Sequence, residues 1–153
     1  MEKKILIIGA SGFLGKQIFS DFSKKFAVKG TYNSNPAEGM AKLDLNDFDA
    51  LKKICADFLP DIIIHCAGET KVDSYETDST VPKIQLKFIK NISDACNLFR
   101  ATLVFFSTDF VFDGKKGNYN ELDKTRPKTA YGKNKLECEK IAQKVKNHLI
   151  LRV

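Results

Sequence analysis

The segment that most constrains this chain is its beginning, where Lys4-Ile-Leu-Ile-Ile8 runs directly into Gly9-Ala-Ser-Gly12-Phe-Leu-Gly15. An unbroken aliphatic run ended by glycine predicts a strand buried on both faces, as in a parallel sheet. Helical spacing follows at once, with Phe13, Leu14, Ile18, Phe19 and Phe22 at three- and four-residue steps on one apolar face. Strand, glycine loop and helix in immediate succession form a site for a pyrophosphate. The first glycine permits a tight turn, the second lets a phosphate approach the backbone, and the third lets the helix pack closely on the sheet. Free N–H groups and the positive end of the helix dipole then face the anion.

The rest of the chain repeats the alternation. A second strand is expected from Ala27 to Tyr32, followed by a turn-rich stretch and a short extended segment, Ala41 to Leu43. Asp47 is placed to cap a helix reaching Phe58, with Phe48, Leu51, Ile54 and Cys55 inward and Pro60 ending it. Asp61 to Cys66 reads as another buried strand, and a polar loop then leads to a helix beginning near Pro82. Ile84, Phe88, Ile89, Ile92, Ala95, Cys96 and Phe99 mark that helix's inner face. A strand from Thr102 to Phe106, a long loop from Ser107 to Thr129, a helix from Tyr131 to Lys146 and a strand from His148 to Val153 complete the chain. Strands and helices in this order predict a single α/β domain over residues 1–153: a doubly wound parallel sheet, strand order 3-2-1-4-5-6, with helices on both faces. Ligands of such sheets bind at the carboxyl ends of the strands, so functional residues are expected in the loops that follow them.

Composition narrows the function classes. With 43% hydrophobic and 29% charged residues, the chain is neither disordered nor fibrous. The first apolar run is too short for a signal-peptide core or a membrane span, so a cytoplasmic protein without membrane attachment is expected. Cys55, Cys66, Cys96 and Cys138 lie far apart, with neither histidine at a ligand-like spacing, which predicts reduced, buried thiols and no metal site. The 25 basic residues exceed the 19 acidic ones by six. They are interleaved along the chain and form no basic run alternating with aromatics, which argues against a nucleic-acid partner. Length suits one domain with a sizeable core, about half of what a two-domain enzyme uses.

Two groups of residues carry chemistry. At the end of the second strand, an acid would bind a ribose 2'-hydroxyl and exclude a 2'-phosphate. Here Lys29-Gly-Thr-Tyr32-Asn33-Ser-Asn35 holds no acid, which favours NADPH over NADH, although no arginine is present to clamp the phosphate. Further along, Tyr131 and Lys135 stand one helical turn apart on one face. A phenol titrating near 10 is a poor acid at neutral pH, and a neighbouring ammonium favours its ionised form, lowering its pKa. Tyr131 is then placed to protonate a carbonyl oxygen. Thr108, at the carboxyl end of the preceding strand, is placed to donate a hydrogen bond to the same carbonyl.

The spacing of Gly9, Gly12 and Gly15 resembles that of extended short-chain dehydrogenases/reductases. Ser107-Thr-Asp-Phe-Val-Phe-Asp-Gly114, Arg126-Pro127 and Tyr131-Gly-Lys-x-Lys135 closely resemble one branch, the dTDP-4-dehydrorhamnose reductase family. The resemblance implies a Rossmann fold and NAD(P)H-dependent reduction of a 4-keto sugar nucleotide in dTDP-rhamnose biosynthesis, with that sugar nucleotide as the partner molecule; a homo-oligomer is compatible with it. It implies catalytic roles for Thr108, Tyr131 and Lys135, with Lys135 also holding the nicotinamide ribose. It implies cofactor contacts at Gly9, Ser11, Gly12, Phe13, Leu14, Gly15, Tyr32, Asn33, Asp44, Leu45, Ala67, Gly68 and Thr70. Related dehydratases follow the hydroxyl residue with Asp-Glu; here Phe110 follows Asp109, so reduction is preferred to dehydration. Where relatives often carry asparagine early in the fourth helix, this chain has Gln85. The family's smaller C-terminal substrate domain is expected to be absent from these residues, implying a truncated form with little or no turnover alone. The alternatives are a non-catalytic NADP-binding subunit resembling the regulatory subunit of methionine adenosyltransferase, and a nucleotide-sugar epimerase. A naturally short nucleotide-binding chain, its last strand covered by a partner, also remains open.

Overall fold

The computed structural model describes residues 2–153. Its core is a six-stranded sheet in the order β3-β2-β1-β4-β5-β6. The strands are β1 (Lys4–Ile8), β2 (Ala27–Tyr32), β3 (Ala41–Lys42), β4 (Ile62–His65), β5 (Thr102–Ser107) and β6 (His148–Arg152). Every pairing is parallel, which explains why the inner strands read as apolar runs.

The sheet's two faces are covered unequally. Helices α2 (Phe48–Phe58), α4 (Thr80–Phe99) and α5 (Ala130–Ala142) pack Leu51, Cys55, Ile89, Ile92, Cys96, Cys138 and Ala142 against Leu6, Ile8, Ile63, Leu103 and Phe105. Helix α1 (Phe13–Phe22) covers the opposite face with Ile18, Phe19 and Phe22 against Ile5, Ile7 and Ile64. On that face Val104 and Phe106 of β5 are half-buried, and their β6 partners Leu149 and Leu151 are exposed.

Several boundaries differ from the sequence expectation. Phe13 and Leu14 leave the apolar face and are exposed, because they form the first turn of α1, at the rim of the sheet. Helix α4 begins two residues before Pro82, whose missing N–H falls in the first turn, where no intrahelical partner exists. Helix α5 stops at Ala142 instead of Lys146: a tightened turn, with Val145 N–H donating to the Ala142 carbonyl, tucks Val145 into the core. The polar loop after β4 contains a short helix, α3 (Ser74–Thr77), that the sequence reading missed.

Candidate functional site

The glycine loop is built by close backbone approaches. Gly9 has φ of +81°, and a Cβ there would lie 2.7 Å from the Ala67 backbone nitrogen at the end of β4. A Cβ on Gly15 would collide with the Gly9 carbonyl, so α1 comes close to β1 only because residue 15 has no side chain. Gly12 is the N-cap of α1 and provides no side-chain cap, leaving the first helical N–H groups open toward the loop.

From this loop a groove runs across the carboxyl ends of the strands. It consists of two cavities, of about 470 and 430 Å³, that share Gly12, Gln85 and the segment Cys66 to Glu69. The first is lined by Gly9 and Ser11, by Tyr32 at the end of β2 and Asn33, Ser34 and Asn35 after it, by Leu43 and Leu45, and by Ile84 and Phe88 of α4. The residues following β2 there are polar and neutral. Asp44 does not line this cavity; it is exposed, and its carboxylate accepts from the Asn46 N–H at 2.9 Å, closing a local turn. The second cavity is lined by Phe13, Leu14, Ala67, Gly68, Thr70, Tyr75, Tyr131 and Lys135. Gln85 reaches the loop at Gly68, where its Oε1 lies 2.6 Å from the position a Cβ would take.

Thr108 and Tyr131 come from neighbouring elements that are locked together. Thr108 ends β5 and caps a single 3-10 turn, Asp109–Val111, its hydroxyl oxygen accepting from the Phe110 N–H at 3.2 Å. That turn packs so closely on α5 that a Cβ at Gly132 would strike the Phe110 carbonyl. Thr129 caps α5 by accepting from the Gly132 N–H at 3.0 Å, which starts the helix one residue before Tyr131. Burial holds the Tyr131 phenol above its usual pKa; the Thr108 hydroxyl beside it acts the other way, and the Asp109 carboxylate adds to the rise. The expected lowering by Lys135 is therefore not what this geometry produces. The Lys135 ammonium is turned toward β5, donating to the Phe106 carbonyl and lying 4.4 Å above the Phe105 ring. Burial lowers its pKa, so it is a desolvated cation held at the floor of the groove.

Behind these side chains lies a buried ionic cluster absent from the sequence reading. Glu139, 1% exposed, accepts from the Ser107 hydroxyl and takes a bidentate bond from Arg152 at 2.9 and 2.8 Å. One carboxylate thus ties α5 to the ends of β5 and β6. His65 and Tyr75 were missed too. His65 closes an apolar strand and Tyr75 sits in a polar stretch, so neither carried a periodic signal.

The groove has the features a dinucleotide requires: a glycine cradle that a Cβ would fill, an uncapped helix N-terminus for phosphates, and a long cleft with an apolar wall at one end. Comparison with known proteins extends this. Residues 3–153 match the family model described as the RmlD substrate binding domain. The chain is 31% identical over 141 residues to methionine adenosyltransferase 2 subunit beta of Bos taurus, covering 91% of this chain and 42% of that protein. Among solved structures, a hypothetical dTDP-4-dehydrorhamnose reductase from Sulfolobus tokodaii superposes with a TM-score of 0.89 at 39% identity, covering 97% of this chain and 55% of that one. The dTDP-4-dehydrorhamnose reductase of Bacillus anthracis, in complex with NADP, gives 0.87 at 29% identity, covering 99% and 53%. The chain thus spans about half the length of the relatives it matches.

Proposed function

The chain belongs to the RmlD substrate binding domain family, and from that premise we propose that it is the cofactor-binding and proton-donating part of an NADPH-dependent reductase of a 4-keto-6-deoxy sugar nucleotide. The observation that carries this reading is the placement of Tyr131 and Lys135 in the cavity that shares Gly12 and Gly68 with the glycine-loop cavity, with Thr108 beside the phenol. A proton donor and a desolvated cation then meet at one end of a dinucleotide-shaped groove, with the buried Thr108 hydroxyl beside the phenol.

In this reading Gly9, Ser11, Gly12 and the first turn of α1, including Phe13 and Leu14, hold the pyrophosphate. Tyr32, Asn33 and Leu45 border the adenosine end, and Ala67, Gly68 and Thr70 border the nicotinamide end. When bound, NADPH supplies the hydride that reduces the carbonyl carbon. Tyr131 gives its phenolic proton to the carbonyl oxygen, and Thr108 donates a hydrogen bond to that oxygen. Burial keeps the phenol protonated, which suits an acid acting in the reducing direction. Lys135 steadies the ribose. Selection of the sugar nucleotide falls to the additional length that the relatives carry.

The test uses the protein that carries this chain, with NADPH and a 4-keto-6-deoxy sugar nucleotide, following NADPH oxidation by absorbance. Turnover is expected, and Tyr131→Phe lowers kcat by roughly 10²–10⁴-fold, the usual contribution of a positioned acid. Undiminished turnover in that variant contradicts the reading. The 31% identity to methionine adenosyltransferase 2 subunit beta supports a second reading, a regulatory subunit whose nucleotide groove serves assembly. A stable complex with a synthetase, unchanged by Tyr131→Phe, favours it.

A further inference from the structure

Helix α3 touches the N-terminal end of α5 through two consecutive residues. Tyr75 is buried, and its ring meets Tyr131 edge to face, with centroids 5.0 Å apart and planes at 74°. Its hydroxyl donates to the Glu69 carbonyl at 2.9 Å, which anchors the ring to the loop that follows β4. Glu76 accepts from the Ala130 N–H at 2.8 Å, a backbone donor in the first turn of α5. Phe110, on the 3-10 turn, also meets Tyr131, at 5.7 Å and 77°. The Tyr131 ring therefore meets aromatic rings from two separate elements. Tyr75 also lines the cavity that Tyr131 lines.

We propose that Tyr75 is a positioning residue for Tyr131: its anchored ring, together with the Glu76 contact to α5, fixes the direction in which the phenol points into the groove. A tyrosine hydroxyl lies on the Cβ–Cγ axis, so the direction in which it points is set by χ1, which has three staggered wells. Rings packed on Tyr131 from two elements hold it in one of these, and orientation of a proton donor governs the reacting step more than the binding of the partners. The inference rests on the reading of Tyr131 as the proton donor. Tyr75 cannot exchange roles with it, because Tyr75's hydroxyl is committed to a backbone carbonyl and burial raises its pKa. The charged groups around Tyr131 are Asp109 on the 3-10 turn, Lys135 one turn along α5, Glu76 on α3 and Glu69 on the β4 loop. None is removed by a change at Tyr75, so a shift in the phenol's titration on such a change reports the lost ring.

The experiment compares Tyr75→Phe, Tyr75→Leu and Glu76→Ala in the protein that carries this chain. It measures kcat, KM, the NADPH dissociation constant, thermal stability and the Tyr131 titration by NMR of labelled tyrosine. Tyr75→Phe retains the ring edge and keeps kcat within about twofold. Tyr75→Leu lowers kcat by about tenfold or more, with KM and the NADPH dissociation constant within about threefold. In the same variant water reaches the phenol, and its titration moves down toward the ordinary value near 10. Glu76→Ala, an exposed change that removes the acceptor of the Ala130 N–H, gives a smaller loss of kcat in the same direction. A folded Tyr75→Leu protein with unchanged kcat and unchanged Tyr131 titration overturns the proposal, as does a parallel loss of kcat, cofactor binding and stability. If Tyr75→Leu fails to fold, an unchanged kcat in Glu76→Ala overturns it. If Tyr131→Phe itself keeps its turnover, the functional reading fails, and the Tyr131 titration in Tyr75→Leu still decides the contact.

Discussion

His65 shows how one buried group makes stability depend on pH. It ends β4, its ring is stacked on Phe105 with centroids 5.8 Å apart, and its Nδ1 has no hydrogen-bond partner among the described residues. Burial, aided by the Lys135 charge, pushes its pKa from 6.5 down to about 3. The folded protein therefore keeps a neutral imidazole where the unfolded chain binds a proton. Stability falls as pH drops from 6.5 toward 3, by up to about 1.4 kcal/mol per pH unit. Urea unfolding between about pH 6.5 and 5, above the range in which carboxylates titrate, isolates this slope. His65→Leu is expected to flatten it; an unchanged slope in that variant would show that another group controls the effect. The adenosine end offers a second residue-scale prediction. Asn33 lines it without charge, so Asn33→Asp places a carboxylate where a 2'-phosphate would lie. NADPH affinity is expected to fall by about tenfold or more relative to NADH, as for like charges in contact. Equal losses for the two cofactors would place the 2'-position elsewhere.

Helix α5 is the element on which the site depends, and two contacts fix it. One is the backbone approach of the 3-10 turn at Gly132; the other is the Glu139 carboxylate, shared by Ser107 and Arg152. Truncating Glu139 leaves the partly buried Arg152 guanidinium and the Ser107 hydroxyl without their acceptor. Glu139→Ala is expected to cost about 3–5 kcal/mol in chemical unfolding, the range for breaking a buried pair. Replacing both partners, as in Glu139→Leu with Arg152→Met, recovers much of that loss, because no uncompensated charge remains. If the double variant is as unstable as the single one, packing and not charge carries the contact. The main elements were legible in the sequence. The aliphatic runs of β1, β4 and β5 and the spacing in α2 and α4 reflect burial that each segment encodes by itself. Thr108, Tyr131 and Lys135 were singled out by motif and strand-end placement, and the structure sets Tyr131 and Lys135 in one cavity. Helix α3 was not: four residues give no period, and its order comes from Tyr75 against Tyr131 and Glu76 against Ala130, contacts 54 or more positions apart in sequence. The Glu139 pair was hidden for the same reason, since a glutamate among lysines on a helix reads as a solvated face.

At the scale of the whole molecule, strand order places the site. The chain passes from β1 outward to β2 and β3, then returns across to β4, so the glycine loop and the β4 loop face each other where the order reverses. The approach of Gly9 to Ala67 is the local expression of that reversal. The same order puts the start of α5 beside the segment that follows β4, with Tyr131 and Lys135 at one end of the groove. The fold therefore joins the glycine loop and Tyr131 in one cleft. The chain spans about half the length of the relatives it matches, so nucleotide binding is the property to ask of these residues first. Titration with NADPH, followed by nicotinamide fluorescence, puts that question most directly, with Gly12→Asp as the control. Gly12 is exposed and a Cβ there would meet only the Gly9 carbonyl, at 3.4 Å, so the variant is expected to fold while setting a carboxylate where the phosphates bind. Saturable binding with one site per chain, lost in folded Gly12→Asp, is the predicted result. No binding by the folded chain, or binding unaffected by Gly12→Asp, would contradict the assignment of the groove.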